Sequence, residues 1–125
     1  MQYLGSCHCG AVKFKVEAPE IPEIETCNCS ICSKSGFLHL IVPKRNFYLL
    51  QGQGNLQKYS FNSGVAEHFF CQTCGIKSFY IPRSNPDGID VNLRCLDPQP
   101  YEYKLIEFDG QNWEQHAHTL THKSK

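Results

Sequence analysis

The sequence has no excess of charge of either sign, because twelve Lys and Arg balance twelve Asp and Glu. A neutral chain has no global field to attract nucleic acid or acidic membranes, so a nucleic-acid partner is not expected. The chain also lacks any stretch approaching the ~20 apolar residues that a membrane span requires. We therefore expect no membrane partner either.

The first residues, 1–5, have neither the basic segment nor the apolar segment of a secretory signal. We expect an intracellular protein, in the cytoplasm or else in the nucleus, where disulfides are rare. With 125 residues and 41% hydrophobic content, the chain has the size and the core of one domain.

Cysteine is what the sequence has in abundance: eight residues, seven of them in three tight clusters. The clusters are Cys7 and Cys9, then Cys27, Cys29 and Cys32, then Cys71 and Cys74, and Cys95 stands apart. Thiols at gaps of one and two residues are the spacing that a thiophilic metal requires. A disulfide framework spreads its cysteines more widely and belongs to oxidising compartments. The spacing therefore favours zinc over disulfides or redox-active thiols.

Ligand counting divides these cysteines between two zinc ions per chain. A structural zinc has four protein ligands, whereas a catalytic zinc has three and keeps one open position. The pairs Cys7/Cys9 and Cys71/Cys74 would complete one closed site, which leaves Cys27, Cys29 and Cys32 as a second site with three ligands. Spacing alone does not prove this division. The ion at Cys27, Cys29 and Cys32 could instead bind a thiol from one of the two pairs, or Cys95, as its fourth ligand.

Alternation of apolar and polar residues predicts short strands throughout the chain. The predicted strands are 11–17, 36–42, 56–61, 65–70, 76–81, 89–95 and 103–108, with 56–61 and 65–70 joined as a hairpin. Only one short helical turn is predicted, over 46–50. The fold class is therefore all-β: a small single domain of short antiparallel strands pinned by zinc knuckles. Residues 116–125 show no clear period and are expected to form a polar tail.

Cys95 shares strand parity with the apolar residues of 89–95, which predicts that its side chain points inward. The loop 82–88 is long enough to bring that strand near Cys27, Cys29 and Cys32. We therefore expect Cys95 beside the second metal, as a ligand or as pocket lining. His39 lies in an apolar run and is more typical of a core or surface histidine than of a catalytic base. His68 is expected to be structural.

Four motifs, in order along the chain, carry a resemblance to a known family. They are Gly5-Ser6-Cys7-His8-Cys9-Gly10, Cys27-Asn28-Cys29-Ser30-Ile31-Cys32, Phe70-Cys71-Gln72-Thr73-Cys74-Gly75 and Asn92-Leu93-Arg94-Cys95-Leu96-Asp97. Over roughly residues 3–115 the chain resembles the glutathione-dependent formaldehyde-activating enzymes, and within them the centromere protein V branch. The resemblance implies a fold of the β-tent type. It also implies a structural zinc on Cys7, Cys9, Cys71 and Cys74 and a catalytic zinc on Cys27, Cys29 and Cys32.

The same resemblance implies a carbon–sulfur lyase reaction that joins formaldehyde to the small thiol glutathione as S-hydroxymethylglutathione. An open zinc suits this chemistry because it binds a thiolate and lowers the pKa of the thiol. Lys44, Arg45 and Arg83 could hold the carboxylates of glutathione. The alternative is a non-catalytic binding module in which both metals are structural, and a redox or metal-buffering protein is a third hypothesis. The sequence makes no prediction of oligomeric state.

Overall fold

Two β-sheets make up most of the fold, and the computed structural model describes all residues 1–125. The strands are β1 (Gln2–Ser6), β2 (Lys13–Glu17), β3 (Glu23–Cys27), β4 (His39–Pro43), β5 (Phe47–Gln51), β6 (Leu56–Tyr59), β7 (Glu67–Cys71), β8 (Phe79–Ile81), β9 (Gly88–Asn92) and β10 (Lys104–Phe108). The α-helices are α1 (Ser30–Ser35) and α2 (Trp113–His116), and 3-10 turns cover Lys44–Asn46, Gln53–Asn55, Leu93–Cys95, Gly110–Asn112 and Ala117–Ser124. The predominance of short strands confirms the predicted fold class. None of the helices is both long and apolar enough to cross a membrane.

The smaller sheet has the strand order β1-β2-β5, and the larger sheet has the order β10-β3-β4-β9-β8-β7-β6. The predicted hairpin is present as β6 and β7, which pair antiparallel from Leu56 opposite Cys71 to Tyr59 opposite His68. One strand departs from the expected antiparallel arrangement: β10 runs parallel to β3. These two strands are far apart in the chain, and local alternation carries no information on the direction of such a pairing.

Alternation of side chains gives the seven-stranded sheet two different faces. Its core face packs on the smaller sheet, and Leu40, Val91 and Phe79 are aligned across three neighbouring strands of it. The opposite face, called the polar face below, carries buried residues with polar atoms on five neighbouring strands. They are Glu25, His39, Asp90, Tyr80 and His68, paired across the sheet as Glu25 with His39, Asp90 with Tyr80 and Tyr80 with His68.

The C-terminal residues are folded against the sheet, where the sequence pattern indicated a polar tail. Leu120 and Ser124 are buried. The amide of the buried Asn85 donates hydrogen bonds of 2.9 Å to the Leu120 carbonyl and to Ser124 Oγ. Lys123 Nζ lies 2.6 Å from Glu25 Oε1. Partners from distant strands hold this segment in place, and a search for local periodicity does not detect such partners.

Two local predictions were wrong. The helical turn expected over 46–50 is strand β5, which pairs with β2. The strand expected over 89–95 ends at Asn92, because the Asn92 side chain accepts a hydrogen bond from the Arg94 backbone N–H and starts the turn Leu93–Cys95. Cys95 therefore does not continue the alternation of β9. Helix α1 was not predicted at all.

The core leaves no space beside Gly5, which lies on β1 directly opposite Phe14. A methyl group there would stand 2.8 Å from a carbon of the Phe14 ring and 2.9 Å from the Cys95 carbonyl oxygen. The Phe14 ring is fully buried and stacks on Phe47, with ring centroids 5.5 Å apart, so it cannot easily move. We predict that Gly5→Ala lowers the free energy of unfolding by about 1–3 kcal/mol, measured by urea denaturation.

Gly54→Ala is the matched control, since no atom lies within 4 Å of a methyl group at that position. It is expected to leave the unfolding midpoint close to that of the parent protein. Equal stability of the two variants would contradict the tight packing of Gly5.

Candidate metal centres and active site

The structure brings seven of the eight cysteines into two groups. One group is Cys7, Cys9, Cys71 and Cys74, and the other is Cys27, Cys29 and Cys32. Within each group the sulfur atoms all lie within 4.8 Å of one another. No fourth ligand atom of a Cys, His, Asp or Glu joins the second group within that distance. Both groups have the geometry to bind a metal ion, one with four protein ligands and the other with three.

The four-cysteine group connects the two sheets on the core side. Cys71 ends β7 with the same parity as Phe69, so it lies on the core face, and Cys7 follows β1. The Sγ–Sγ distances Cys7–Cys9 and Cys9–Cys71 are both 3.7 Å. A tetrahedral ion with metal–sulfur bonds of about 2.3 Å separates its sulfurs by about 3.8 Å, so this spacing fits zinc.

Hydrogen-bond donors surround these sulfurs. The Val12 backbone N–H donates to Cys7 Sγ at 3.3 Å, and Asn55 Nδ2 donates to Cys71 Sγ at 3.1 Å. The backbone N–H groups of Cys74 and Thr73 lower the pKa of the Cys71 thiol to about 6. Such donors stabilise the thiolate, which is the form that binds metal, and they fix the position of the sulfur.

Strand β3 and helix α1 position the three-cysteine group. Cys27 ends β3 with the same parity as Glu25, so it lies on the polar face. Cys29 is the residue before α1, and its carbonyl accepts the Ser33 backbone N–H at 2.9 Å. Cys32, one turn along from Cys29, lies on the same side of the helix. The helix ends at Ser35 and is followed by Gly36, whose φ of 67° is the left-handed conformation that glycine adopts easily.

The three thiols shift one another's pKa in different directions. Hydrogen bonds from Cys27 and Cys32 lower the pKa of the Cys29 thiol to about 2. Hydrogen bonding with Cys27 and Cys29, together with burial, raises the pKa of the Cys32 thiol. The lowered pKa of Cys29 favours the thiolate, which is the form that binds metal.

The segment 109–112 supports the three-cysteine group from one side. Asn28 Nδ2 donates to Asp109 Oδ1 at 2.9 Å, and the Gln111 backbone N–H donates to Asn28 Oδ1 at 2.9 Å. Gly110 lies so close that a methyl group there would contact the sulfur of Cys27. The cysteine loop is thus held by residues about eighty positions away in the chain.

A cavity of about 330 Å³ opens over the polar face, and all three cysteines of the second group line it. None of the four cysteines of the first group does. The other polar or charged side chains of its lining include Glu25, His39, His68, Tyr80, Arg83 and Asp90. The first group therefore lies away from the cavity, with Cys9 exposed at the surface, whereas the second opens on a space that a small molecule can enter.

Buried His39 is paired with buried Asp90 in this cavity. His39 Nδ1 lies 2.6 Å from Asp90 Oδ2, and the Tyr80 hydroxyl oxygen lies 3.4 Å from the same nitrogen. Sequence reasoning classed His39 as a core or surface histidine and did not single out Asp90. The sequence Ile89-Asp90-Val91 could have indicated a buried polar pair, because a carboxylate inside an apolar strand requires a buried partner.

A second buried histidine, His68, has a cation as its partner. Lys77 Nζ lies 2.6 Å from His68 Nδ1, and the His68 ring stacks on Tyr80 with centroids 4.7 Å apart. Burial and the Lys77 ammonium lower the pKa of His68 to about 4, so its ring is neutral near pH 7. Burial likewise lowers the pKa of Lys77, to about 8.

Of the three cations considered for carboxylate binding, only Arg83 lines the cavity. Its guanidinium carbon lies 3.8 Å from the centre of a Trp113 ring, and its Nη2 lies 2.7 Å from Glu114 Oε1. Arg45 instead donates to the Lys125 backbone oxygen at 2.8 Å. Lys44 is exposed.

Cys95 belongs to neither cysteine group and does not line the cavity, which corrects the expectation that it lies beside the second metal. It packs partly buried against the core, where burial raises the pKa of its thiol. The cysteines that act on it electrostatically are Cys7 and Cys74 of the other group. The turn Leu93–Cys95 breaks the strand parity on which the expectation rested.

Comparisons with known proteins agree with this geometry. The family model described as glutathione-dependent formaldehyde-activating enzyme matches residues 2–115, a span that contains every cysteine discussed above. A Halomonas elongata protein with the provisional name glutathione-dependent formaldehyde-activating enzyme is 55% identical over 109 residues, covering 78% of this chain and 69% of the relative. A crystal structure of a Rhodobacter sphaeroides protein matches with a TM-score of 0.73 and 33% identity, over 82% of this chain and 99% of the other. The chain belongs to the glutathione-dependent formaldehyde-activating enzyme family.

Proposed function

We propose that this protein is a zinc-dependent carbon–sulfur lyase that acts on adducts of glutathione with formaldehyde or a related aldehyde. The observation that carries the proposal is the difference between the two cysteine groups. Four sulfurs converge at one site, away from the cavity, whereas three sulfurs converge at the other and line the cavity. This is the difference between a structural and a catalytic zinc site.

The donor sets suit zinc at both positions. Cys7, Cys9, Cys71 and Cys74 would hold a structural ion, and Cys27, Cys29 and Cys32 would hold an ion with one position left for an incoming thiol. Bound there, zinc would lower the pKa of that thiol and keep it as a thiolate. Three thiolate ligands leave the site with a net charge of −1, so we favour capture of the thiol over strong activation of a carbonyl.

The cavity suits a substrate of the size of glutathione. Its volume of about 330 Å³ lies within the usual range for small-molecule sites. Arg83 stands in its lining, stacked on Trp113, and its present partner Glu114 has a side chain that is 77% exposed. A substrate carboxylate could therefore replace Glu114 as the partner of Arg83.

The alternative of a binding module with two structural metals requires a fourth protein ligand at the second site. Cys95 was the candidate, and its position against the core favours the enzyme over this alternative.

We predict that Cys71→Ser loses the zinc of the four-cysteine site together with the cooperative thermal transition. This ion would tie β7 to the segment after β1, and its binding contributes folding free energy. Zinc content and thermal melting followed by circular dichroism are the measurements. Cys95→Ser is the matched control, expected to keep both zinc ions, and a Cys71→Ser protein that melts like the parent would refute the assignment.

The open position of the second site predicts a response to thiols. Adding millimolar glutathione to the cobalt-substituted protein should change the cobalt absorption spectrum, because a fourth sulfur enters the coordination shell. S-methylglutathione has no free thiol and should leave the spectrum unchanged. A spectrum that ignores glutathione would count against an exchangeable position at Cys27, Cys29 and Cys32.

The lyase activity itself is tested by exchange NMR at equilibrium. The protein should accelerate the interconversion of S-hydroxymethylglutathione with glutathione and formaldehyde above its spontaneous rate. Cys29→Ser should abolish the acceleration while the fold and the zinc of the four-cysteine site remain. Exchange at the spontaneous rate in the presence of the parent protein would exclude this substrate.

A further inference from the structure

Two buried histidines of the polar face present nitrogen atoms of opposite hydrogen-bonding character. The Nδ1 atom of His39 faces the carboxylate of Asp90, which can only accept, so in the neutral ring the proton lies on Nδ1 and Nε2 carries a lone pair. The Nδ1 atom of His68 faces the Lys77 ammonium, so it accepts, and Nε2 carries the proton. Both Nε2 atoms are buried without a hydrogen-bond partner, and both rings line the cavity.

We propose that His39 is the general base of the reaction at the three-cysteine site and that Asp90 positions it, an inference that rests on the proposed lyase function. In the cleavage direction, His39 Nε2 takes the hydroxyl proton of the adduct. The electron pair of the broken O–H bond forms the second C–O bond of the aldehyde. The C–S bond breaks, and its electron pair leaves with the sulfur as a thiolate. In the addition direction, His39 returns the proton to the oxygen as the thiolate attacks the carbonyl carbon.

The other groups that face His39 are less suited to this role. Glu25 is its cross-strand neighbour on β3 and is held by Lys123, whose Nζ lies 2.6 Å away. Tyr80 is buried, which raises the pKa of its phenol and keeps it protonated. Cys29 belongs to the candidate metal ligands.

His68 provides an internal comparison, because it lines the same cavity with the opposite tautomer. Its lone pair is used by Lys77, and its free nitrogen can only donate. It can hydrogen-bond a carbonyl or carboxylate oxygen of the substrate, but it has no lone pair for a proton. The two histidines therefore differ in a way that variants can measure.

The first experiment compares His39→Ala with His68→Ala by exchange NMR, with and without added imidazole. General-base catalysis contributes on the order of 10²–10⁴ in rate, so His39→Ala should slow the exchange by at least about 10²-fold. Imidazole should restore part of that rate. It should not raise the residual rate of His68→Ala. Glutathione affinity, measured by titration calorimetry, should change in His39→Ala by less than about threefold, since the base acts on the hydroxyl and not on the thiol.

A second experiment, independent of activity, reads the tautomers by ¹⁵N NMR of the histidine rings. The parent protein should show the proton of His39 on Nδ1 and that of His68 on Nε2. Asp90→Asn should mix the tautomers of His39, because an amide can also donate to Nδ1. An unchanged tautomer of His39 in Asp90→Asn would contradict the role of Asp90 in positioning this ring.

The outcomes separate the two hypotheses. A parent protein that does not accelerate the exchange overturns the proposed function, and this inference falls with it. An active parent whose His39→Ala variant is equally fast overturns the inference alone. If His39→Ala fails to fold, the tautomer of the parent decides, and a proton found on Nε2 of His39 overturns the role of general base.

Discussion

Successive residues of a β-strand point to opposite faces of the sheet, and in the seven-stranded sheet these faces have different chemistry. Cys71 shares the parity of Phe69 and joins the core between the two sheets. Cys27 shares the parity of Glu25 and joins the polar face, where the cavity lies. The same alternation therefore places one cysteine group where four sulfurs have the geometry to bind an ion and the other where a small molecule has access.

The polar face buries charged and polar groups that a purely structural sheet would replace with apolar side chains. Burial of such groups is costly unless each has a partner. His39 faces Asp90, His68 faces Lys77, and Glu25 faces Lys123, at 2.6 Å in each case. These pairs leave Nε2 of both histidines unpartnered in the cavity lining. Departures of this kind from an apolar interior are typical of functional sites.

Segments near the end of the chain complete the same cavity. The segment 109–112 holds the cysteine loop through Asn28, and Leu120 supplies part of the lining. Asn85 and Glu25 anchor the residues around Leu120 by a hydrogen bond and an ion pair. The family model ends at 115, so this last part of the lining lies outside the span that the family model matches.

Spacing and alternation are local properties of the chain, so they were enough to predict the cysteine clusters, the hairpin of β6 and β7, and the predominance of short strands. Which side chains share the cavity could not be predicted in this way, because it depends on contacts between distant strands. His39, Asp90 and Tyr80 come from three strands, and their meeting depends on strand order and register. Cys95 shows most clearly the limit of prediction from local patterns. Strand alternation supported the prediction that it lies beside Cys27, Cys29 and Cys32, but a turn stabilised by the Asn92 side chain ends the strand before Cys95. Local patterns assign a residue to one face of a strand, but the pairing of distant strands decides which residues that face contacts.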